Sequence, residues 1–270
     1  MKVIDPTIYP SLLSQVNSRR MLRIRKRSGG RWLYFVPGLV IKVATTDSER
    51  RALSNEHAQA RLARRSGFWK AETLGNFLLS PSMLVTGRGR NTTPADHAPI
   101  AGFAAGKRRE SAGYPHADAL SYVEDCTTFR TAPAERRRRF AEVLRGQALP
   151  LTSGHGDFHF MNFVWYGGRM RVIDWEFFEP EGTFLFDYLS FHLHPEAAGT
   201  APGVFLATLE PTHPAIRAAS EALDVEPEAV LLSYALSDLS RMIERLGGPE
   251  ALSAQTRGTV AAVMDRLQRI

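Results

Sequence analysis

The stretch SGHGDFHFMNFVWYGGRMRVID, Ser153 to Asp174, decides how the rest of the chain is read. It carries two carboxylates, Asp157 and Asp174, and one side-chain amide, Asn162. Two apolar runs, Asn162 to Tyr166 and Met170 to Ile173, flank Gly167-Gly168 and read as the arms of a tight hairpin. Such a hairpin puts Asn162 and Asp174 at neighbouring strand ends, where both can reach one cation. Acid, amide and acid on loops suit a hard cation held against phosphate oxygens. Mg²⁺ prefers oxygen ligands and usually takes only one or two carboxylates from a protein.

HGDFHFMN (His155 to Asn162) followed by VIDWE (Val172 to Glu176) resembles the HGDxxxxN and IDxE pair of the aminoglycoside phosphotransferase and choline kinase superfamily. The likeness runs from His155 to Asp187; elsewhere it is one of layout more than of letters. It implies an α+β, two-lobed protein-kinase-like fold, with a small N-terminal antiparallel sheet plus helix and a larger, mostly helical C-terminal lobe. It also implies transfer of the γ-phosphate of ATP (or GTP), with Mg²⁺, to the hydroxyl of a small molecule. In that scheme Asp157 is catalytic, Asn162 and Asp174 hold the metal, and Asp187 braces the catalytic loop. His155 reads as a buried histidine bonding loop backbone. His159 either bonds phosphate or substrate, or caps the loop. Protein kinases read HRD and DFG at these places and end an activation segment with APE. Gly156 and Trp175-Glu176, with no such ending, point to the small-molecule branch.

The acceptor is left open. Glu176, Glu179, Glu181 and Asp187 favour a cationic acceptor such as an aminoglycoside or choline, while HGDF with FDYLSFHLH resembles kinase-like proteins of surface-saccharide synthesis. A non-catalytic pseudokinase that keeps the fold as a binding module is the rival from another class.

Working outward, three strand-like runs precede the motif: Met21 to Lys26, Trp32 to Val36 and Leu39 to Val43, broken at Arg27-Ser28-Gly29-Gly30 and Pro37-Gly38. Alternation puts Val40, Lys42 and Ala44 on one face. The next segment, Asp47 or Ser48 to Arg65, reads as a helix with Leu53, Glu56, Ala60 and Ala63 on one stripe. An unpaired Glu56 there is costly, and Lys42 is the available partner, with Glu49 as a fallback acid two turns earlier. Lys42 steadied by Glu56 is the phosphate-binding pair that the resemblance implies. Ser28, Gly29 and Gly30 can offer backbone amides to phosphates, although no GxGxxG is present.

Asn76 to Leu79 and Met83 to Thr86 complete a sheet of five strands. From Thr86 onward the backbone is read as the hinge that meets the adenine edge. The expected organisation is 1–87 as nucleotide-binding lobe, 88–106 as hinge and polar linker, and 107–270 as catalytic and substrate lobe. Residues 91–115 read as a polar insert, either a linker or a gating loop. Helices are expected at Pro10 to Val16, Ala117 to Phe129, Ala134 to Arg145, Pro214 to Leu223, Glu226 to Leu246 and Pro249 to Leu267.

Composition narrows the setting. Residues 1–100 hold 17 Lys/Arg against 6 Asp/Glu, and residues 151–270 hold 8 against 16. The basic first half carries no nucleic-acid-binding motif, so it reads as a nucleotide-binding lobe with a solvated basic surface. Cys126 is the single cysteine, which excludes an internal disulfide and fits a reducing compartment. No apolar run approaches the roughly 20 residues of a membrane span, and a cytoplasmic protein is expected.

Overall fold

The structure is a computed structural model that describes residues 23–26, 30–197 and 205–270. In chain order, β1 is Arg23–Lys26, β2 Arg31–Val36, β3 Leu39–Ala44, α1 Asp47–Arg65, β4 Asn76–Ser80, β5 Met83–Gly87 and β6 Arg90–Asn91. Then come α2 (His97–Ser111), β7 (His116–Asp118), α3 (Ala119–Glu124), α4 (Thr127–Thr131), α5 (Ala134–Leu144) and β8 (Ala148–Pro150). The hairpin β9 (Phe163–Tyr166) and β10 (Arg169–Val172) leads to α6 (Phe184–Ala197), α7 (Pro214–Leu223), α8 (Pro227–Arg245) and α9 (Ala254–Leu267). The architecture is α+β, as expected. Contacts divide the chain into two compact units: Met1–His97 with His155–Pro180, and Ala98–Gly154 with Glu181–Ile270.

In the first unit β1 to β5 form an antiparallel sheet in the order β1-β2-β3-β5-β4. α1 packs on one face of it, and its buried residues are Leu53, Glu56, Ala60 and Ala63, the stripe expected from their spacing. Thr46 caps the helix by accepting from the Glu49 N–H at 3.3 Å. The β9–β10 hairpin turns on Gly167-Gly168, and β6 extends it to three strands.

An aromatic base underlies the hairpin. Trp69, in the segment that follows α1, meets Phe68 at 5.2 Å, Trp175 at 5.3 Å and Phe158 at 5.8 Å between ring centroids. Phe158 in turn meets Phe163 edge-on at 4.9 Å, a favoured aromatic geometry. The same segment is stitched to β10 by backbone bonds, Val172 N–H to Glu72 O (2.9 Å) and Leu74 N–H to Val172 O (3.1 Å).

Residues 91–115 are not the structureless insert expected from sequence. They hold a short turn, Pro94–Asp96, and the fifteen-residue α2. Gly102 and Gly106 disguise the helix, since each glycine costs about 0.5–1 kcal/mol in a helix interior. The burial of Ile100, Ala104, Lys107 and Ser111 along one face more than offsets this. Asp96 anchors the turn: it accepts from Arg90 twice at 2.9 Å, from the Thr93 N–H at 2.7 Å and from the Trp165 indole at 2.9 Å. Those bonds, Arg90's first among them, hold its carboxyl well below the usual range.

The second unit is mostly helical and centred on α8, which is buried on most of its circumference. The helix expected over Ala117 to Phe129 is instead β7, α3 and α4. Residues 116–118 pair with β8, and Asp118 restarts the helix by capping the Ser121 N–H at 2.9 Å. Thr128 then binds α8 through Leu236 O (2.8 Å) and Ser240 Oγ (3.1 Å). The last expected helix is a turn at Pro249–Ala251 followed by α9. Two arginines of the Arg136 to Arg139 run reach α9: Arg136 bonds Asp265 (2.6 Å) and Arg139 bonds Gln268 O (2.6 Å). The expected helix at Pro10 to Val16 lies outside the described residues, as do Met21 and Leu22 at the start of the first strand.

Trp69 is fully buried and touches the segments that carry Phe158 and Trp175. Trp69→Ala is expected to destabilise the protein by about 3–5 kcal/mol, with Trp69→Phe losing much less. Urea denaturation followed by circular dichroism measures both.

Candidate active site

Lys42 lies on β3 between Leu33 of β2 and Leu84 of β5, on the sheet face that α1 covers. Its Nζ donates to Glu56 Oε1 (2.6 Å), Glu56 Oε2 (2.8 Å) and Asp174 Oδ1 (3.1 Å). An ammonium has three hydrogens, and all three are used. Burial is the largest influence on Lys42 and opposes its charge, but the two carboxylates outweigh it and raise its pKa above the usual lysine value. Burial likewise opposes the charge on Asp174; Lys42 and Arg31 reverse the balance and hold its pKa below the usual value. Burial raises Glu56, with Lys42 as the main opposing influence.

Glu49, the fallback partner for Lys42, is engaged elsewhere. Arg31, the first residue of β2, donates from Nε to Glu49 Oε2 at 2.5 Å, and its Nη2 is 3.7 Å from Glu176 Oε2. Asn55 of α1 holds the same loop by donating to Glu176 O at 2.8 Å. Arg31 and Asn55 were not singled out from the sequence. The signal that could have found Arg31 is its place directly after Gly30, which puts it on the strand face that Leu33 and Lys42 share.

The loop from His155 to Asn162 is held from beneath. His155 is fully buried, its ring 4.6 Å from that of Trp175. Nε2–H donates to Ile173 O at 2.9 Å, and Nδ1 accepts the Asp157 N–H at 3.3 Å. One nitrogen donates and the other accepts, so the ring is neutral. Desolvation lowers its pKa to about 4, against the raising effects of Ile173 O and the nearby aspartates. Gly156 follows with φ 78°, and a Cβ there would stand 2.1 Å from Phe177 O. Only glycine fits.

Asp157 and Asn162 are bonded to each other. Asn162 Nδ2 donates to Asp157 O (2.8 Å) and to Asp157 Oδ2 (3.1 Å). His159 accepts the Met161 N–H at Nδ1 (3.2 Å), which caps the short Phe160–Asn162 turn, and its Nε2 lies 3.3 Å from both Asp157 Oδ2 and Asn162 Nδ2. The Ile173 N–H donates to Asn162 O at 3.0 Å, so the strand that ends at Asp174 is joined to the loop. Asp174 itself has φ 66°, a left-handed conformation rare outside glycine.

Gly30 lies at a corner: its carbonyl accepts from Thr45 N–H (3.0 Å) and Thr45 Oγ1 (2.6 Å), and its φ is 94°. Ser28 and Gly29 lie outside the described residues. Thr86 is on β5 and donates from Oγ1 to Gly75 O at 3.3 Å. Asp187 is on α6 in the second unit, 1% exposed. Among the described residues no group of three or more His, Cys, Asp or Glu side chains forms a metal site. Two open oxygens do fit a hard cation. Asn162 Oδ1 accepts no hydrogen bond, and Asp174 Oδ2 none, among the described residues. One carboxylate and one amide suit an ion whose remaining ligands come from phosphates and water. No helix among the described residues is long and apolar enough to cross a membrane.

Neither a family model nor a curated protein matches the sequence. Solved structures match the fold along nearly the whole chain. Aminoglycoside phosphotransferase APH(2'')-Ib, ADP-bound, is 14% identical with a TM-score of 0.55, over 98% of this chain and 99% of that one. A thermostable mutant of aminoglycoside phosphotransferase APH(4)-Ia, in ternary complex with ADP and hygromycin B, is 13% identical with a TM-score of 0.53, over 96% and 98%. At these identities the likeness establishes a shared fold, that of the aminoglycoside phosphotransferases.

His155 gives the site a pH signature. An unfolded histidine takes its proton near pH 6.5, whereas the folded ring resists it down to about 4. The stability this contributes is complete above pH 6.5 and is lost as pH falls from 6.5 towards 4, by up to about 3 kcal/mol. Urea midpoints measured across that window should slope in the wild type and be flatter in His155→Gln.

Proposed function

We propose that this protein is a Mg²⁺-dependent small-molecule kinase that moves the γ-phosphoryl group of ATP (or GTP) to a substrate hydroxyl. The observation that carries this reading is Lys42, a buried ammonium bonded to both Glu56 and Asp174, in the same compact unit as Asp157 bonded to Asn162. Bound Mg²⁺-nucleotide supplies the transferable phosphoryl group and the neutralising charge that its transfer requires.

The chain's own residues divide the remaining work. Lys42 is the cation offered to the nucleotide phosphates, and Glu56 keeps it charged and aimed. Asn162 Oδ1 and Asp174 Oδ2 are the oxygens offered to the metal. Asp157 orients the acceptor hydroxyl and takes its proton, with its own carboxylate steadied by Asn162 and His159. A carboxylate is a weak base, so its main contribution is placement, where effective-molarity effects can supply about 7–11 kcal/mol. The shared fold supports the reading, since the related phosphotransferase structures hold ADP, one of them with hygromycin B. A cytoplasmic setting accords with a nucleoside triphosphate as donor.

The test is ADP or GDP release with Mg²⁺ from the wild type and from Asp157→Asn, each against separate pools of aminoglycosides, amino-alcohols and sugars. Release with one pool names the acceptor class. Asp157→Asn is expected to lose about 10²–10⁴-fold in turnover with nucleotide affinity kept. Near wild-type turnover in that variant would remove Asp157 from the mechanism. Nucleotide binding without release from any pool would favour a non-catalytic binding module.

A further inference from the structure

We propose that Arg31 is a positioning residue for the metal loop, tying the residue two places after Asp174 to the first turns of α1. The basis is a ladder of two rungs. Arg31 and Lys42 project from the same sheet face, since Leu33 pairs with Lys42 and Arg31 with Ala44. Glu49 and Glu56 lie two helical turns apart on the facing side of α1. Lys42 meets Glu56 and Arg31 meets Glu49, at 2.6 and 2.5 Å. Each cation then extends to the same loop, Lys42 to Asp174 (3.1 Å) and Arg31 to Glu176 (3.7 Å). All three side chains of the second rung are largely buried, at 16%, 16% and 25% exposure.

Two features make the second rung matter. Asp174 sits in a left-handed conformation, uncommon outside glycine even though aspartate adopts it more readily than most residues, and the surrounding contacts hold it there. Lys42 holds the Asp174 side chain and Asn55 the Glu176 carbonyl, and Arg31 adds the tie on the Glu176 carboxylate that fixes the direction of the loop's charged edge. The site also gathers four carboxylates (Glu49, Glu56, Asp174 and Glu176) around two cations. Removing Arg31 would leave Glu49 and Glu176 facing each other unscreened. The planar guanidinium fork lets Nε hold Glu49 while Nη2 lies 3.7 Å from Glu176, a span that the single nitrogen of a lysine does not reproduce from this strand position.

The link from loop position to metal binding rests on the proposed kinase function; the tie itself does not. Hydrogen–deuterium exchange of nucleotide-free protein tests the tie. Arg31→Gln should exchange about tenfold faster at amides 174–178, with α8 unchanged. Calorimetry with ATP, with and without Mg²⁺, tests the consequence. The Mg²⁺-dependent part of the affinity should fall about 10–100-fold, as for other residues that orient a metal ligand, while metal-free affinity is kept. Arg31→Lys keeps the charge but not the span, and should show the same selective loss; should Arg31→Gln fail to fold, this variant decides the matter. Unchanged exchange in Arg31→Gln, or wild-type behaviour of Arg31→Lys, overturns the proposal. Faster exchange with intact Mg²⁺-dependent affinity overturns its link to the metal. A wild type without Mg²⁺-dependent nucleotide binding overturns the kinase reading instead, and the exchange arm still decides the tie.

Discussion

A buried ammonium is the constraint on which the first unit depends. Lys42 has only 13% of its side chain exposed. An uncompensated charge there would cost several kcal/mol. Its partners come from 14 and 132 positions away, one on α1 and one beyond β10. The chain satisfies the lysine only when sheet, helix and hairpin loop are all in register. Slipping β3 by one residue would turn Lys42 to the opposite face and leave Glu56 buried and alone. The ion cluster therefore does more to specify the arrangement than to stabilise it.

Beneath the loop the logic is reversed: the polar groups are few and neutral. His155 gives one hydrogen to Ile173 O and accepts one from the Asp157 backbone, so it joins two strands of the site without carrying charge. Its packing on Trp175, and that of Trp175 on Trp69, transfers the rigidity of an aromatic core to a loop whose side chains must remain polar. Gly156 permits this by letting the backbone of Phe177 approach where any side chain would collide.

Much of this was legible in the sequence, for identifiable reasons. Strand alternation placed Lys42, helical spacing placed Glu56, and a buried acid facing a buried base has one inexpensive solution. The hairpin announced itself through Gly167-Gly168, and His155 was legible as a buried histidine bonding loop backbone. Arg31 was not legible, because its partners Glu49 and Glu176 lie 18 and 145 positions away and it falls just outside Trp32 to Val36, the run that reads as a strand. α2 was hidden by Gly102 and Gly106, whose cost in propensity is outweighed only by burial that a local window does not contain. The late start of α3 depends on β7 pairing with β8, and the placing of α4 on bonds from Thr128 to α8, both long-range.

The distribution of hydrogen-bond capacity says which form of nucleotide the site suits on the proposed reading. The three hydrogens of Lys42 are already spent on carboxylate oxygens, while Asn162 Oδ1 and Asp174 Oδ2 are open acceptors. A bare polyphosphate would meet acids with no free ammonium hydrogen to receive it. A polyphosphate carrying a divalent cation would bring the charge those oxygens lack, with Asn162 Oδ1 and Asp174 Oδ2 as the groups to hold it and Lys42, kept by Glu56, as the cation for phosphate. On that reading metal and nucleotide would favour each other's binding through one shared side chain, that of Asp174, the carboxylate at the end of the hairpin.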